Sequence, residues 1–169
     1  MKINIGFSKA KSIFKIGSTI IQKVDCRDYS HCYIRYIDNI TNVTLIAQAS
    51  HNFVNLVSET IFLDQNIIVK EYSLDCTDIQ YQDMLTFIHN NLGKPYSKLQ
   101  LILIGIKKLL HIEINYHDRG ASYICSEFAL CVCSFTGVKV PNNIDYIDPS
   151  DLDEILQESV AQKNSTLKG

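Results

Sequence analysis

The hydrophobic pattern of this chain changes period once, and that change restricts the fold more than any other feature. Between His31 and Leu74 apolar residues alternate or form short β-branched runs; from Thr77 onward they recur at helical spacing. In "YSHCYIRYI", His31, Tyr33, Arg35 and Ile37 point one way and Cys32, Ile34 and Tyr36 the other, which predicts a strand. "DNITN" breaks it as a turn, and "VTLIAQAS" returns as the second strand of an antiparallel hairpin. "FVNLVS" and "NIIVKEYSL" read as further strands.

The helical half opens with "TDIQYQDMLTFIHNNLG", which begins on a capping residue and stops at Gly93. "YSKLQLILIGIKKLLHI" is a second, strongly apolar helix with a Lys pair near its end, and "NYHDRGAS" is a polar loop. A third helix is expected from about residue 123 to 136, stopped by Gly137. Pro149, Ser150 and Asp151 start a short last helix. Before the strands, residues 10–23 place Ile13, Ile16, Ile20 and Ile21 at helical spacing, with Gly17 weakening the pattern. Strands first and helices later predict an α+β fold, with an antiparallel sheet packed against a buried core helix. One domain is expected over residues 1–157, followed by a loose polar tail at 158–169.

Composition narrows the function classes. The 169 residues are 46% hydrophobic and 20% charged, which fits a globular chain and not a disordered or membrane-embedded one. A net charge of -2 gives no global electrostatic reason to expect nucleic acid or an anionic membrane as partner. The first 21 residues lack the apolar stretch and cleavage site of a signal peptide, so a cytoplasmic protein is expected. The six cysteines contain no C-x-x-C pair, so a structural zinc site is not expected, and at least five should be reduced thiols. Phosphate-binding, dinucleotide and zinc-protease motifs are absent, as is the serine-hydrolase elbow; no cofactor or metal is expected.

The candidate chemistry is a thiol at a helix start. In "SYICSEFALCVCSF", Cys125, Ser126 and Glu127 stand at the front of an otherwise apolar helix. Unpaired N–H groups and the helix dipole there favour an anion, lowering the pKa of Cys125 and offering donors for an oxyanion. His31, at the start of a strand, is the candidate base, since cysteine and histidine distant in sequence and adjacent in space make the minimum nucleophile–base pair. A third residue would orient the imidazole. The partner strand offers Gln48 first and His51 second. On composition alone, a helix-start cysteine is more often packing than a nucleophile. Glu127 is adequately explained by the helix dipole, Ser126 by close approach of helix and sheet, and "GKPYS" as the junction of two helices. His89, His111 and His117 read as surface or loop residues.

The order "YSHCYIRY", "LIAQASHNFVNLV", "GKPYSKLQ", "YICSEFAL" and "IDPSDLDEIL" resembles the permuted papain-like cysteine hydrolases. These are the circularly permuted branch of the NlpC-type superfamily, which includes the bacterial YiiX group and phage and viral proteins, and more distantly lecithin:retinol acyltransferase. The resemblance covers roughly residues 5 to 156. It implies Cys125 as nucleophile and His31 as general base, with Gln48 at or near the place of the third residue. A carboxylate or a second histidine is common at that place, and a glutamine can orient an imidazole but cannot stabilise its charge. The resemblance further implies a peptide, isopeptide or acylated substrate, cell-wall crosslinks first and lipid acyl groups second. A phage or viral protein would act in a host cytoplasm or a virion.

Two rivals stand beside the hydrolase. One is a binding or structural module that keeps the fold without turnover, motivated by Gln48 in place of a charged partner. The other is an acyltransferase, for which the sequence shows no apolar anchor near the site.

Overall fold

The computed structural model describes residues 1–11, 27–50, 52–110 and 120–166. The expected helix over 10–23, together with Cys26, His51, His111 and His117, therefore lies wholly or mainly outside the described residues. The fold is α+β: one five-stranded antiparallel sheet and, among the described residues, five helices. The strands are β1 (Lys2–Ala10), β2 (His31–Ile37), β3 (Thr44–Ser50), β4 (Phe53–Ser58) and β5 (Asn66–Asp75), in the order β4-β3-β2-β1-β5. The helices are α1 (Glu59–Gln65), α2 (Asp78–Asn91), α3 (Lys98–Leu110), α4 (Cys125–Ser134) and α5 (Pro149–Thr166).

The four strands expected from sequence are present, and two further elements join them. β1 was not expected as a strand, although Ile3, Ile5 and Phe7 alternate and all three are buried. It pairs with β2 on one side and β5 on the other, so it stitches the hairpin to the rest of the sheet. α1 is a seven-residue helix between β4 and β5, capped by the Ser58 hydroxyl, which accepts from the Ile61 N–H. The last helix also differs from expectation. It runs through Thr166, so the segment from 158 to 166 continues α5 and is not a loose tail.

The hairpin register explains the split of β2 into two faces. Asn42 adopts a positive φ of 56° in the turn, a conformation asparagine tolerates, and Asp38 accepts from the Thr41 N–H to tighten it. Ile34 then pairs with Ala47. Cys32, Ile34, Tyr36, Ala47 and Ala49 face the main core, where α4 lays Phe128, Ala129, Val132 and Cys133 on the sheet. Each large apolar side chain buried there contributes about 1.5–3 kcal/mol of transfer free energy. The opposite face carries a smaller cluster of Tyr33, Ile46 and Phe62, plus Arg35 bonded to Glu59 and Glu71 at 2.7 Å each. On this face the Tyr33 ring lies directly over Gly6, where a Cβ would come within 2.0 Å of it.

α5 is tied down by one carboxylate. Asp153, 1% exposed, accepts from Tyr29 and Lys70 at 2.7 Å each and from Tyr72 at 2.5 Å. The bonds anchor the helix to β5 and to the segment leading into β2.

Candidate active site

The site is built where α4 begins over the start of β2. Ile124 is the N-cap of α4 and has no side chain able to cap, so Cys125 enters the first turn beside N–H groups that no N-cap side chain takes. The helix cannot shift freely, because the buried Ser126 hydroxyl donates to the Ile147 carbonyl at 2.5 Å. Cys125 itself is 3% exposed.

Three side chains meet the Cys125 sulfur. The Cys32 thiol and His31 are both hydrogen-bonded to it, and so is the Tyr96 hydroxyl. The Cys32 hydrogen bond is the largest influence holding the Cys125 thiol well below its ordinary range; burial opposes it, and the bond to His31 and its charge add to it. Of these neighbours only His31 can become a cation. Burial favours the neutral His31 ring, but the bond to Cys125, the thiolate charge and the bond to Gln48 outweigh it and raise the pKa. The two shifts have one meaning: proton transfer from Cys125 to His31 is favoured by the surroundings of both.

His31 Nε2 is 2.7 Å from Gln48 Oε1. The amide orientation is fixed by a second bond, from Gln48 Nε2 to Asn55 Oδ1 at 3.3 Å, across the directly opposed pair Gln48–Asn55 of β3 and β4. Asn55 in turn donates to Ser50 Oγ and the Phe53 carbonyl. Gln48 therefore presents an oxygen, Nε2 carries the proton that it accepts, and Nδ1 is the ring nitrogen left for the thiol. A glutamine placed this way fixes tautomer and ring orientation without adding charge.

Tyr96 was not expected here; "GKPYS" read as a plain junction. The junction is a strip of extended chain instead. Val54 N–H donates to Lys94 O and Tyr96 N–H to Asn52 O, both at 2.8 Å, while Tyr123 N–H donates to Pro95 O at 3.1 Å. Held between β4 and residue 123, Tyr96 reaches Cys125. Burial and the charge near Cys125 push its pKa well up, so the phenol stays a donor.

No family model and no curated protein matches the chain.

The geometry must therefore speak alone, and it separates the remaining candidates. Cys131 and Cys133 sit further along α4 with their pKa values raised by burial, that of Cys131 to about 12, which leaves them inert thiols. The five described cysteines are all unpaired. Glu127, 1% exposed, accepts from Gln100 Nε2 at 2.9 Å. Gln100 also donates to Asp145 O at 2.6 Å, so Glu127 ties α4 to α3 and the 145 loop and stands away from the sulfur. His89 is exposed on α2 with Nδ1 against Leu85 O. Among the described residues no three His, Cys, Asp or Glu side chains converge as a metal site. A cleft of about 1050 Å3 between α3, residues 137–147 and α5 includes none of Cys125, His31, Gln48 or Tyr96.

Proposed function

We propose that the chain is a cysteine hydrolase of the permuted papain-like type, acting through an acyl-enzyme on Cys125. The observation that carries this reading is a single relay. Cys125 at a helix start is bonded to His31, and the far nitrogen of His31 is bonded to Gln48. The thiolate attacks the carbonyl carbon of an amide, isopeptide or ester. The developing oxyanion is met by first-turn N–H groups of α4 and by the Tyr96 hydroxyl. Protonated His31 gives its proton to the leaving amine or alcohol as the tetrahedral adduct collapses to a thioester. Neutral His31 then takes a proton from water, which attacks the thioester; the acid leaves and the thiolate returns. Gln48 keeps the ring in place throughout. The resemblance to the wider superfamily favours peptide or isopeptide substrates such as cell-wall crosslinks.

Iodoacetamide labelling at neutral pH, mapped by mass spectrometry, tests the nucleophile. Cys125 should label faster than Cys131 and Cys133, and Cys125→Ala should abolish hydrolysis of a thioester or peptide reporter. Equal labelling of the three thiols, or turnover surviving in Cys125→Ala, removes the reading.

One observation favours the second reading, a binding module without turnover. Cys125 is 3% exposed beneath its partners, so substrate must displace part of its cover to reach it. Wild-type turnover lost in Cys125→Ala excludes that alternative.

A further inference from the structure

The outward face of α3 breaks the rule that α2 obeys. Along α2 the exposed positions are Asp78, Ile79, Gln82, Asp83, Thr86, His89 and Asn90, a solvated face with one apolar residue. Along α3 they include Leu99 at 55%, Ile102 at 59%, Ile106 at 37% and Leu110 at 59% exposure. At 3.6 residues per turn these four fall within an arc of roughly 80°, a continuous aliphatic stripe. None of them lines the cleft between α3 and α5. The inner side of the helix is already spent, with Gln100 on Glu127 and Ile104 packed with Ile124 and Tyr146.

The charge on this helix is of one sign. α3 carries Lys98, Lys107 and Lys108 and no acidic residue, in a chain whose net charge is -2. Its 13 residues span about 20 Å at 1.5 Å each, and no described helix is long and apolar enough to cross a membrane. A short helix with an aliphatic stripe and lysines fits the plane of a bilayer surface, where apolar burial and attraction to anionic headgroups add. A second copy of the chain is a poorer occupant, since pairing α3 with itself would set cation against cation. The stripe also lacks the aromatic and arginine anchors that dominate protein–protein contacts.

We propose that α3 is a membrane-docking helix that seats the protein on an anionic lipid surface, beside the candidate active site. The placement follows from the chain: Tyr96, bonded to Cys125, precedes the first residue of α3 by two positions. A substrate presented at a bilayer surface would then meet the thiol without leaving the interface. The sequence offered no apolar anchor near the site; the folded helix supplies one. Docking itself does not depend on the hydrolase reading.

The test is flotation of the full chain with vesicles of phosphatidylcholine alone and of phosphatidylcholine mixed with phosphatidylserine. The wild type should float with the mixed vesicles and much less with phosphatidylcholine alone. Ile102→Glu/Leu110→Glu should lower the bound fraction by about tenfold or more while circular dichroism and melting stay unchanged. Lys107→Gln/Lys108→Gln, which spares the stripe, should abolish the preference for phosphatidylserine. Cys125→Ala should float like the wild type, and Ile102→Glu/Leu110→Glu should keep wild-type iodoacetamide labelling of Cys125, which separates this proposal from the catalytic one. The proposal is overturned if the wild type stays unbound to both vesicles or if the glutamate variant floats equally well. It is also overturned if the wild type is a dimer in solution that the glutamate variant dissociates, since the stripe then belongs to a second copy.

Discussion

His31 Nε2 and Gln48 Oε1 are 2.7 Å apart, and the bond joins the first residue of β2 to the only amide-bearing position of β3. It sets the tautomer of the ring that serves Cys125. It also sets a limit, because a neutral amide holds an imidazolium in place but adds no opposite charge. The thiolate of Cys125 is the only anion that the pair supplies for itself.

Gln48→Glu keeps the acceptor and adds that charge. A carboxylate beside His31 favours the imidazolium, so the His31 pKa rises by about one unit or more. The thiolate–imidazolium pair then survives to higher pH, and the alkaline limb of the rate profile moves up by the same amount. Gln48→Leu removes the acceptor, loosens the ring and lowers kcat by about tenfold to a hundredfold. Both are read from pH–rate profiles on a thioester reporter; unchanged profiles in both variants would make Gln48 a packing residue only.

Tyr96→Phe deletes one hydroxyl and little volume. If that hydroxyl meets the oxyanion, kcat falls by about a hundredfold with KM nearly constant. The same hydroxyl donates to the Cys125 sulfur, so its loss also raises the thiol pKa and moves the pH midpoint of iodoacetamide labelling upward. A variant with wild-type kcat and an unmoved midpoint would reduce Tyr96 to a wall of the site.

The difference between His31 and Tyr96 shows what a sequence reveals of such a site. His31 stands at the start of a run whose period of two is plain, and Cys125 at the start of a run whose helical spacing is equally plain. Both positions follow from local pattern. Gln48 follows at one remove, as a polar residue on the neighbouring strand. Tyr96 has no such signal, because its place depends on the strip that pairs residues 52–54, 93–97 and 123, and these are far apart in the chain. Cys32 was visible as an inward-facing residue of β2, but its contact with Cys125 needs the helix docked. β1 hid for another reason. Gly6 interrupts "KINIGF" with a residue that ordinarily weakens a strand, and only the Tyr33 ring above it explains why glycine is required. α1 is too short for any periodicity to declare it.

Gly6→Ala tests that explanation. The added Cβ would lie 2.0 Å from Tyr33 Cζ. The ring has little room to retreat, being fully buried, stacked 4.5 Å from Phe62 and bonded to Glu71 at 2.8 Å. Overpacking of this kind costs about 1–3 kcal/mol. Chemical denaturation should show a lower midpoint at an unchanged slope, and Gly6→Ala/Tyr33→Leu should recover part of the loss by making room. No loss in the single variant would mean that the ring moves freely.

Asp153→Asn addresses the anchor of α5 and its dependence on pH. Burial works against ionisation of Asp153, but hydrogen bonds from Lys70, Tyr72 and Tyr29 outweigh it and hold the carboxyl below its usual range. A carboxyl whose folded pKa is depressed stabilises the fold above its unfolded pKa of about 3.9, and that contribution fades as pH falls through the folded value. The wild type should therefore lose stability in acid through this group, beginning near pH 4. Asparagine removes the charge at every pH and leaves the Lys70 ammonium without its 2.7 Å partner. Because the Lys70 side chain is 35% exposed, water takes up part of the loss. The expected cost at pH 7 is about 1–3 kcal/mol. Melting curves of the two proteins should differ most at neutral pH and converge as the solution is acidified; a constant difference across that range would show that the charge on Asp153 contributes nothing.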